Sequence, residues 1–214
     1  MKKSVFFLLF NCFVAGATAQ DSLKNSSFFS ITAGASIPTG DFASDNVQKI
    51  NAGMAENGWN IEVKYAHQFD ELFGFSSAFV YAQFPIKKVS NNENPTLSIK
   101  PCDYYELLIG PMITGLIAER VFVDLSILSG TAFINATKVN RNGETVPRKY
   151  PATAIPLKCA LDFRYSFNDK CFFFAGTSYS YMRPTFNVTV QLQDLSFKQS
   201  MNAFGINGGI GFIF

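Results

Sequence analysis

The sequence predicts an all-β protein, eight antiparallel strands closed as an up-and-down transmembrane β-barrel. Three observations carry the prediction. Period-two alternation of apolar and polar residues recurs along the chain, the signature of half-buried strands. The connections between these segments alternate between short and long. The segments are rich in aromatics, while charged residues make up only 16% of the chain, against about 25% in soluble domains.

The start of the 214-residue chain reads as an export signal. Lys2 and Lys3 form a positive region, and Val5 to Val14 is apolar except for Asn11. Ala17-Thr18-Ala19 sets small residues where a signal peptidase reads them, so cleavage is expected between Ala19 and Gln20. The apolar run is about ten residues, where a spanning helix needs about 20. Cys12 follows Asn11, which is not small, and the apolar run continues past it, which argues against lipid attachment. Residues 1–19 are therefore read as a signal peptide and 20–214 as one barrel domain.

The strands follow in order. The first runs from Phe28 to Ile37, with Phe29, Ile31, Ala33, Ala35 and Ile37 on one face. The second is the clearest: Trp59, Ile61, Val63, Tyr65, His67 and Phe69 alternate with Asn60, Glu62, Lys64, Ala66 and Gln68. The third runs from Phe73 to Phe84, and the fourth from Tyr104 to Thr114. The fifth begins near Val121, where Val123, Leu125 and Ile127 oppose Asp124 and Ser126. The sixth sets Ile155 to Phe167, taken alternately, against Lys158, Ala160, Asp162, Arg164 and Ser166. The seventh begins near Phe172 with a less regular phase, and the eighth ends the chain with Phe204, Ile206, Gly208, Ile210, Phe212 and Phe214 aligned. The run Phe186 to Leu192 also alternates and is expected to prolong strand seven outward. It would pair with Phe197 to Asn202 across a turn near Asp194, the apex lying within Gln193 to Ser196.

Residues 70–72, 115–120 and 168–170 are the short connections. Residues 38–58, 85–103, 138–153 and 184–199 are the long ones, and Asn142-Gly143 marks a turn in the third of these. Short turns on one side and long loops on the other are the pattern of bacterial outer-membrane barrels, with both termini on the periplasmic, short-turn side. Alternation alone does not say where the apolar face looks, since a secreted β-sandwich would hide it in a core. Aromatics near strand ends, charges in mid-strand on the opposite faces, and a final strand ending in Phe favour lipid.

Ala33 to Phe42 (AGASIPTGDF), Tyr104 to Pro111 (YYELLIGP) and Gly208 to Phe214 (GGIGFIF) resemble the first, middle and last strands of the outer-membrane β-barrel-domain proteins of Bacteroidota. In architecture these are similar to the small outer-membrane protein A and X barrels. The resemblance implies location and fold, with lipid and the outer-membrane assembly machinery as partners. It also implies that Phe212 and Phe214 form part of the signal that this machinery reads. It implies little about activity.

Lys2 and Lys3 account for the whole formal charge of +2, so the mature chain is near neutral and carries no nucleic-acid signature. After cleavage Cys102, Cys159 and Cys171 remain, an odd and sparse set read as free thiols. No cofactor or metal motif is visible. Three matches to a glycosylation triplet, at Asn25, Asn135 and Asn187, are read as chance. The single histidine, His67, lies near the periplasmic rim in phase with Tyr65 and Phe69, and is read as an interfacial side chain rather than a base. The chain is therefore expected not to be an enzyme; a lipid-modifying activity ranks below two other classes. The first is a structural or interaction barrel displaying its loops to a protein or surface partner. The second is a narrow channel or a conduit for a small or apolar ligand.

The inward faces are expected to carry Glu62, Lys64, Glu106, Asp124, Lys158, Asp162 and Arg164. Counted from the turns, Lys64, Asp124 and Asp162 share one height, Glu62, Glu106 and Lys158 the layer above, and Arg164 lies lower. Each layer mixes signs, so a bridging network that fills the lumen is expected. An eight-stranded barrel has room for little more than its own side chains.

Overall fold

The computed structural model describes residues 26–46, 52–87, 98–99, 101–135, 139–141, 144–145, 152–190 and 193–214. The signal segment, with Ala19 and Gln20, lies outside them. Eight strands form the wall: β1 (Ser27–Thr39), β2 (Gly58–Gln68), β3 (Phe73–Phe84), β4 (Cys102–Ala118), β5 (Val121–Asn135), β6 (Leu157–Ser166), β7 (Cys171–Met182) and β8 (Met201–Ile213). Each pairs antiparallel with the next, and β8 returns to β1, so the sheet has no free edge. Closure has a definite stagger. Partners followed once around run Phe29, Tyr65, Ser77, Ile109, Ser129, Leu157, Tyr181, Asn202 and back to Thr39, ten residues further along β1 than the start. Strand number and stagger together fix the tilt and diameter of a barrel.

Two of the three short connections use the same chemistry. Asp70 Oδ1 accepts the amides of Leu72 (2.8 Å) and Phe73 (2.6 Å). Asn168 Oδ1 accepts those of Lys170 (2.9 Å) and Cys171 (2.7 Å). A short polar side chain folded back on the next amides is how Asp and Asn set a turn. The third connection is tighter than the sequence suggests. Gly115 reads as a turn residue, yet it pairs with Val123, and β4 runs on to Ala118 through an irregularity between Leu116 and Ala118. Only Glu119 and Arg120 turn.

Strand six is interrupted. Ala152–Ala154 pairs with the outer end of β5, and Ala132↔Ala154 and Ser129↔Leu157 keep one register, so this is β6 resumed beyond Ile155-Pro156. Pro156 has no amide to give the ladder; its carbonyl accepts Ser129 Oγ at 2.8 Å.

Beyond the wall, Thr185–Val190 pairs with Gln193–Lys198 as an outer hairpin. The expected turn near Asp194 is corrected: Asp194 lies in the returning strand opposite Thr189, and the last pair of the hairpin is Val190 with Gln193. The observed register sets Phe186 opposite Phe197 and Val188 opposite Leu195. A turn centred on Asp194 would have set these apolar residues against polar ones, and like pairs across a hairpin are the more stable arrangement. In the loops, Arg141↔Glu144 pairs across 142–143, where the sequence marks a turn.

Alternation sorts the wall into two faces. Phe29, Ile31, Ile61, Leu107, Ile109, Leu125, Ile127, Leu161, Ile206 and Ile210 look outward. Phe172 and Phe174 of β7 are buried, while Phe173, Tyr179 and Tyr181 are exposed, which settles the phase of that strand.

Candidate functional site

The lumen has three strata. The middle is charged. Glu62 and Lys64 come from β2, and Lys158, Asp162 and Arg164 from β6, all at even positions that the pleat turns inward. In the closed sheet β2 and β6 are four strands apart in either direction, so they face each other across the barrel. Lys158 Nζ donates to Glu62 Oε2, and Lys64 Nζ to Asp162 Oδ2, with Lys64 also 3.5 Å from Glu62 Oε1. These pairs bridge opposite walls. Lower, Arg164 grips Asp124 on the neighbouring β5 with two bonds, Nε to Oδ2 at 2.5 Å and Nη2 to Oδ1 at 2.8 Å, and Thr114 donates to Asp124 Oδ1 at 2.7 Å. Glu106 stands apart from the ion pairs. Its Oε1 accepts Ser180 Oγ at 3.0 Å, and its Oε2 has no hydrogen-bond partner. It lines a cavity of about 20 Å³ with Asn60, Lys158, Ser178 and Asn207, room for about one water molecule. All seven expected luminal residues are thus buried. Glu62, Lys64, Lys158 and Asp162 form one linked group, Asp124 and Arg164 a second, and Glu106 bonds only to a serine.

Long side chains can cross the lumen because the wall they cross is small. Gly34, Gly176, Gly205, Gly209 and Gly211 are inward or nearly so, interleaved with Ser30, Thr32, Ser36 and Ser180. A methyl group at Gly176 would collide with the Asp162 carboxylate, and one at Gly211 with the Phe172 ring.

Both ends of the lumen are apolar, which the sequence reading missed. At the periplasmic end Phe28, Ala66, Met112, Phe172 and Phe174 pack together. The Arg164 guanidinium lies 4.1 Å from the Phe28 ring centre and 5.0 Å from that of Phe122. A cation over ring faces is favourable where water is excluded. At the outer end Phe42, Phe84, Cys102, Tyr104, Ile134, Met182, Phe186 and Met201 form a second cluster. The loop after β1 contributes Phe42, held by Gly53 N to Asp41 O (2.8 Å) and Ala55 N to Phe42 O (3.0 Å). The inward phase of Phe28, Phe84, Phe172 and Phe174 was the available signal.

Outside, rings cluster at two levels. Trp59, Tyr81 and Tyr105 pack edge to face or tilted at the outer level, where Trp59 Nε1 donates to Gln83 Oε1 at 3.2 Å. His67, Phe69 and Phe75, with Phe167 and Phe173, mark the periplasmic level. Between them the exposed surface is aliphatic and aromatic, an arrangement stable only in lipid. His67 sits on this outer face, as its phase requires. The sequence did not show its partner: His67 Nδ1 and Ser27 Oγ lie 2.8 Å apart, and the Tyr65 hydroxyl is 3.4 Å from the same Ser27 Oγ. Phe212 and Phe214 are also exposed at the periplasmic end, and Phe214 closes the seam with β1 through paired backbone bonds to Ser27. Cys159 and Cys171 are free thiols at or near the surface, while Cys102 is buried in the outer apolar cluster.

These surfaces define a class: a small transmembrane β-barrel with a filled lumen. No protein-family model and no curated protein sequence matches the chain. Solved structures do match its fold. The attachment invasion locus protein Ail of Yersinia pestis superposes with a TM-score of 0.53 at 18% identity, over 90% of this chain and 100% of Ail. Neisserial surface protein A gives 0.55 at 12% identity, over 88% of this chain and 97% of that one. The outer membrane protein OprG of Pseudomonas aeruginosa gives 0.56 at 11% identity, over 89% and 96%. At these identities the likeness is one of fold, and with the lipid-facing belt it makes this chain an eight-stranded barrel of the outer-membrane type.

Proposed function

We propose that the protein is a non-enzymatic outer-membrane barrel that works as a structural or interaction protein, offering its outer loops to a partner at the cell surface. The observation that carries this reading is the pair of salt bridges joining β2 to β6 through the centre of the lumen. With apolar clusters above and below, they leave no continuous polar path along the axis among the described residues. The loops are then the part of the molecule free to recognise something. One structural neighbour is named a surface protein and another an attachment invasion locus protein, and the latter, Ail, has also been solved with the heparin analogue sucrose octasulfate.

Conductance tests the reading. Purified protein in planar bilayers should give no stable, reproducible channel. Lys64→Ala and Lys158→Ala should destabilise the barrel without opening one. Large channels in the unmodified protein, with ion selectivity altered by those substitutions, would favour the channel alternative.

We further read the chain as of the Bacteroidota type, supported by the motifs at Ala33–Phe42, Tyr104–Pro111 and Gly208–Phe214. The last of these is proposed as the segment read by the assembly machinery. The exposed ends of Phe212 and Phe214 on the periplasmic rim suit that role. Deleting Phe214 should lower the fraction of heat-modifiable, folded protein in the outer membrane; an unchanged fraction would remove it from the signal.

A further inference from the structure

From Phe73 to Tyr81 the outward row of β3 is aromatic apart from one position: Phe73, Phe75, Ser77, Phe79 and Tyr81. Ser77 pairs with Tyr65 on β2 and Ile109 on β4. Its small side chain leaves a groove of about 400 Å³ on the lipid-facing wall, bounded by Phe29, Tyr65, Phe79, Leu107 and Ile109. That is within the size of small-molecule sites, about 300–1,000 Å³. Its walls are almost wholly hydrocarbon. The periplasmic end is different. There Tyr65, which also walls the groove, brings its hydroxyl to 3.4 Å from Ser27 Oγ, and Ser27 Oγ lies 2.8 Å from His67 Nδ1. Ser27 begins β1, and His67 is one residue from the end of β2, so this polar group sits at the membrane interface.

An apolar slot ending in hydrogen-bonding groups at interface depth has the polarity of one amphiphile. We infer that the groove holds a glycerophospholipid of the periplasmic leaflet, one acyl chain along Ser77 and the ester and glycerol region against Tyr65, Ser27 and His67. The groove is continuous with the belt that already faces acyl chains. A second copy of the chain would bring a convex apolar belt, with nothing to pair with the hydroxyl and imidazole groups. The leaflet follows from the turns, since short connections mark the periplasmic side. The inference concerns the outside of the barrel and stands or falls independently of the conductance test.

Native mass spectrometry of the full mature chain, released from vesicles of phosphatidylethanolamine and phosphatidylglycerol into mild detergent, tests it. The folded protein should retain one phospholipid. Ser77→Phe restores the aromatic row, fills the groove, and should lower lipid occupancy about tenfold or more, worth about 1.4 kcal/mol per factor of ten. Tyr65→Phe keeps the wall and removes the hydroxyl, and should weaken retention about two- to tenfold, the range for one hydrogen bond. Leu161→Phe, elsewhere on the lipid face, should leave retention unchanged. Heat-modifiable migration confirms that each variant is folded. Three outcomes would overturn the inference. They are no retained lipid, equal retention by folded Ser77→Phe, and a two-protomer species in place of the lipid adduct.

Discussion

The middle of the lumen and its outer end fill the same tube by opposite means. In the middle, Glu62, Lys64, Lys158 and Asp162 meet across the diameter through directional bonds, over a wall of glycine and serine. At the outer end Phe42, Phe84, Tyr104, Met182 and Met201 fill the space by shape alone, Phe42 being supplied by the loop after β1. Buried ion pairs are poor sources of net stability, because desolvation consumes most of what attraction returns. What they do well is to specify: a bridge forms only when both walls stand in one register. Apolar packing stabilises but tolerates adjustment. The contrast suggests that the middle holds the closed stagger of the barrel while the ends keep water out.

The sharpest way to break that contrast is to strand one charge. Arg164→Met removes both bonds to Asp124 and leaves a buried carboxylate with only Thr114 to serve it. Urea unfolding in vesicles should show a loss of about 3–5 kcal/mol. Adding Asp124→Leu should recover most of that loss, because the cost lies in the uncompensated charge. A double variant as unstable as the single would mean that the pair contributes attraction beyond its desolvation, and the specifying role assigned to the middle would be wrong.

At the outer end the matching test is Phe84→Ala. Phe84 packs edge to face against Phe42 at 5.0 Å and stacks on Tyr104 at 5.8 Å. Truncating a buried Phe costs about 3–5 kcal/mol, less where the surroundings can settle into the space. Phe42 arrives on a loop, so the expected loss is about 3 kcal/mol in the same unfolding assay. A loss larger than that of Arg164→Met would reverse the ranking of the two regions.

These strata were legible in the sequence to different degrees. The seven charged residues fell inward by parity alone, because a pleated strand turns every second side chain to the same side and each charge sat mid-strand. The layers counted from the turns held for two pairs, Lys64 with Asp162 and Glu62 with Lys158; they failed for Asp124, which pairs with Arg164 from the layer below, and for Glu106, which bonds to Ser180 in place of an ion pair. The apolar ends were hidden for another reason. Phe28, Phe84, Phe172 and Phe174 differ in sequence from Phe29, Phe79 and Phe173 only in phase, although the first group faces the lumen and the second faces lipid. In a membrane barrel both solvents of a ring are apolar, so composition does not separate them. The Ser27–His67 contact joins residues 40 apart and depends on the β1–β2 register, which no local pattern states. The outer hairpin misled for a related reason. Alternation persists through Leu192, and only the matching of apolar partners fixes where it folds.

The smallest expected effect compares the two periplasmic turns, which share geometry and differ in one atom. Asp70 and Asn168 each accept two following amides, but only Asp70 titrates. The amides of Phe73 and Leu72 hold its carboxyl below the ordinary 3.8. A carboxyl lowered in the folded state contributes stability that is present above its unfolded value and is lost as pH falls through the folded one. The Asp70 turn should therefore be intact at neutral pH and loosen only below about pH 4, whereas the Asn168 turn should not change in that range. Amide hydrogen exchange at Leu72 and Phe73, compared with Lys170 and Cys171, reads the difference in one sample. Protection at the first pair should fall on acidification while the second pair holds. Asp70→Asn should keep the turn, since Asn168 shows that an amide oxygen serves as well, and should abolish the acid sensitivity. If both turns lose protection together in acid, or if Asp70→Asn leaves the sensitivity in place, the sensitive group lies elsewhere on the rim.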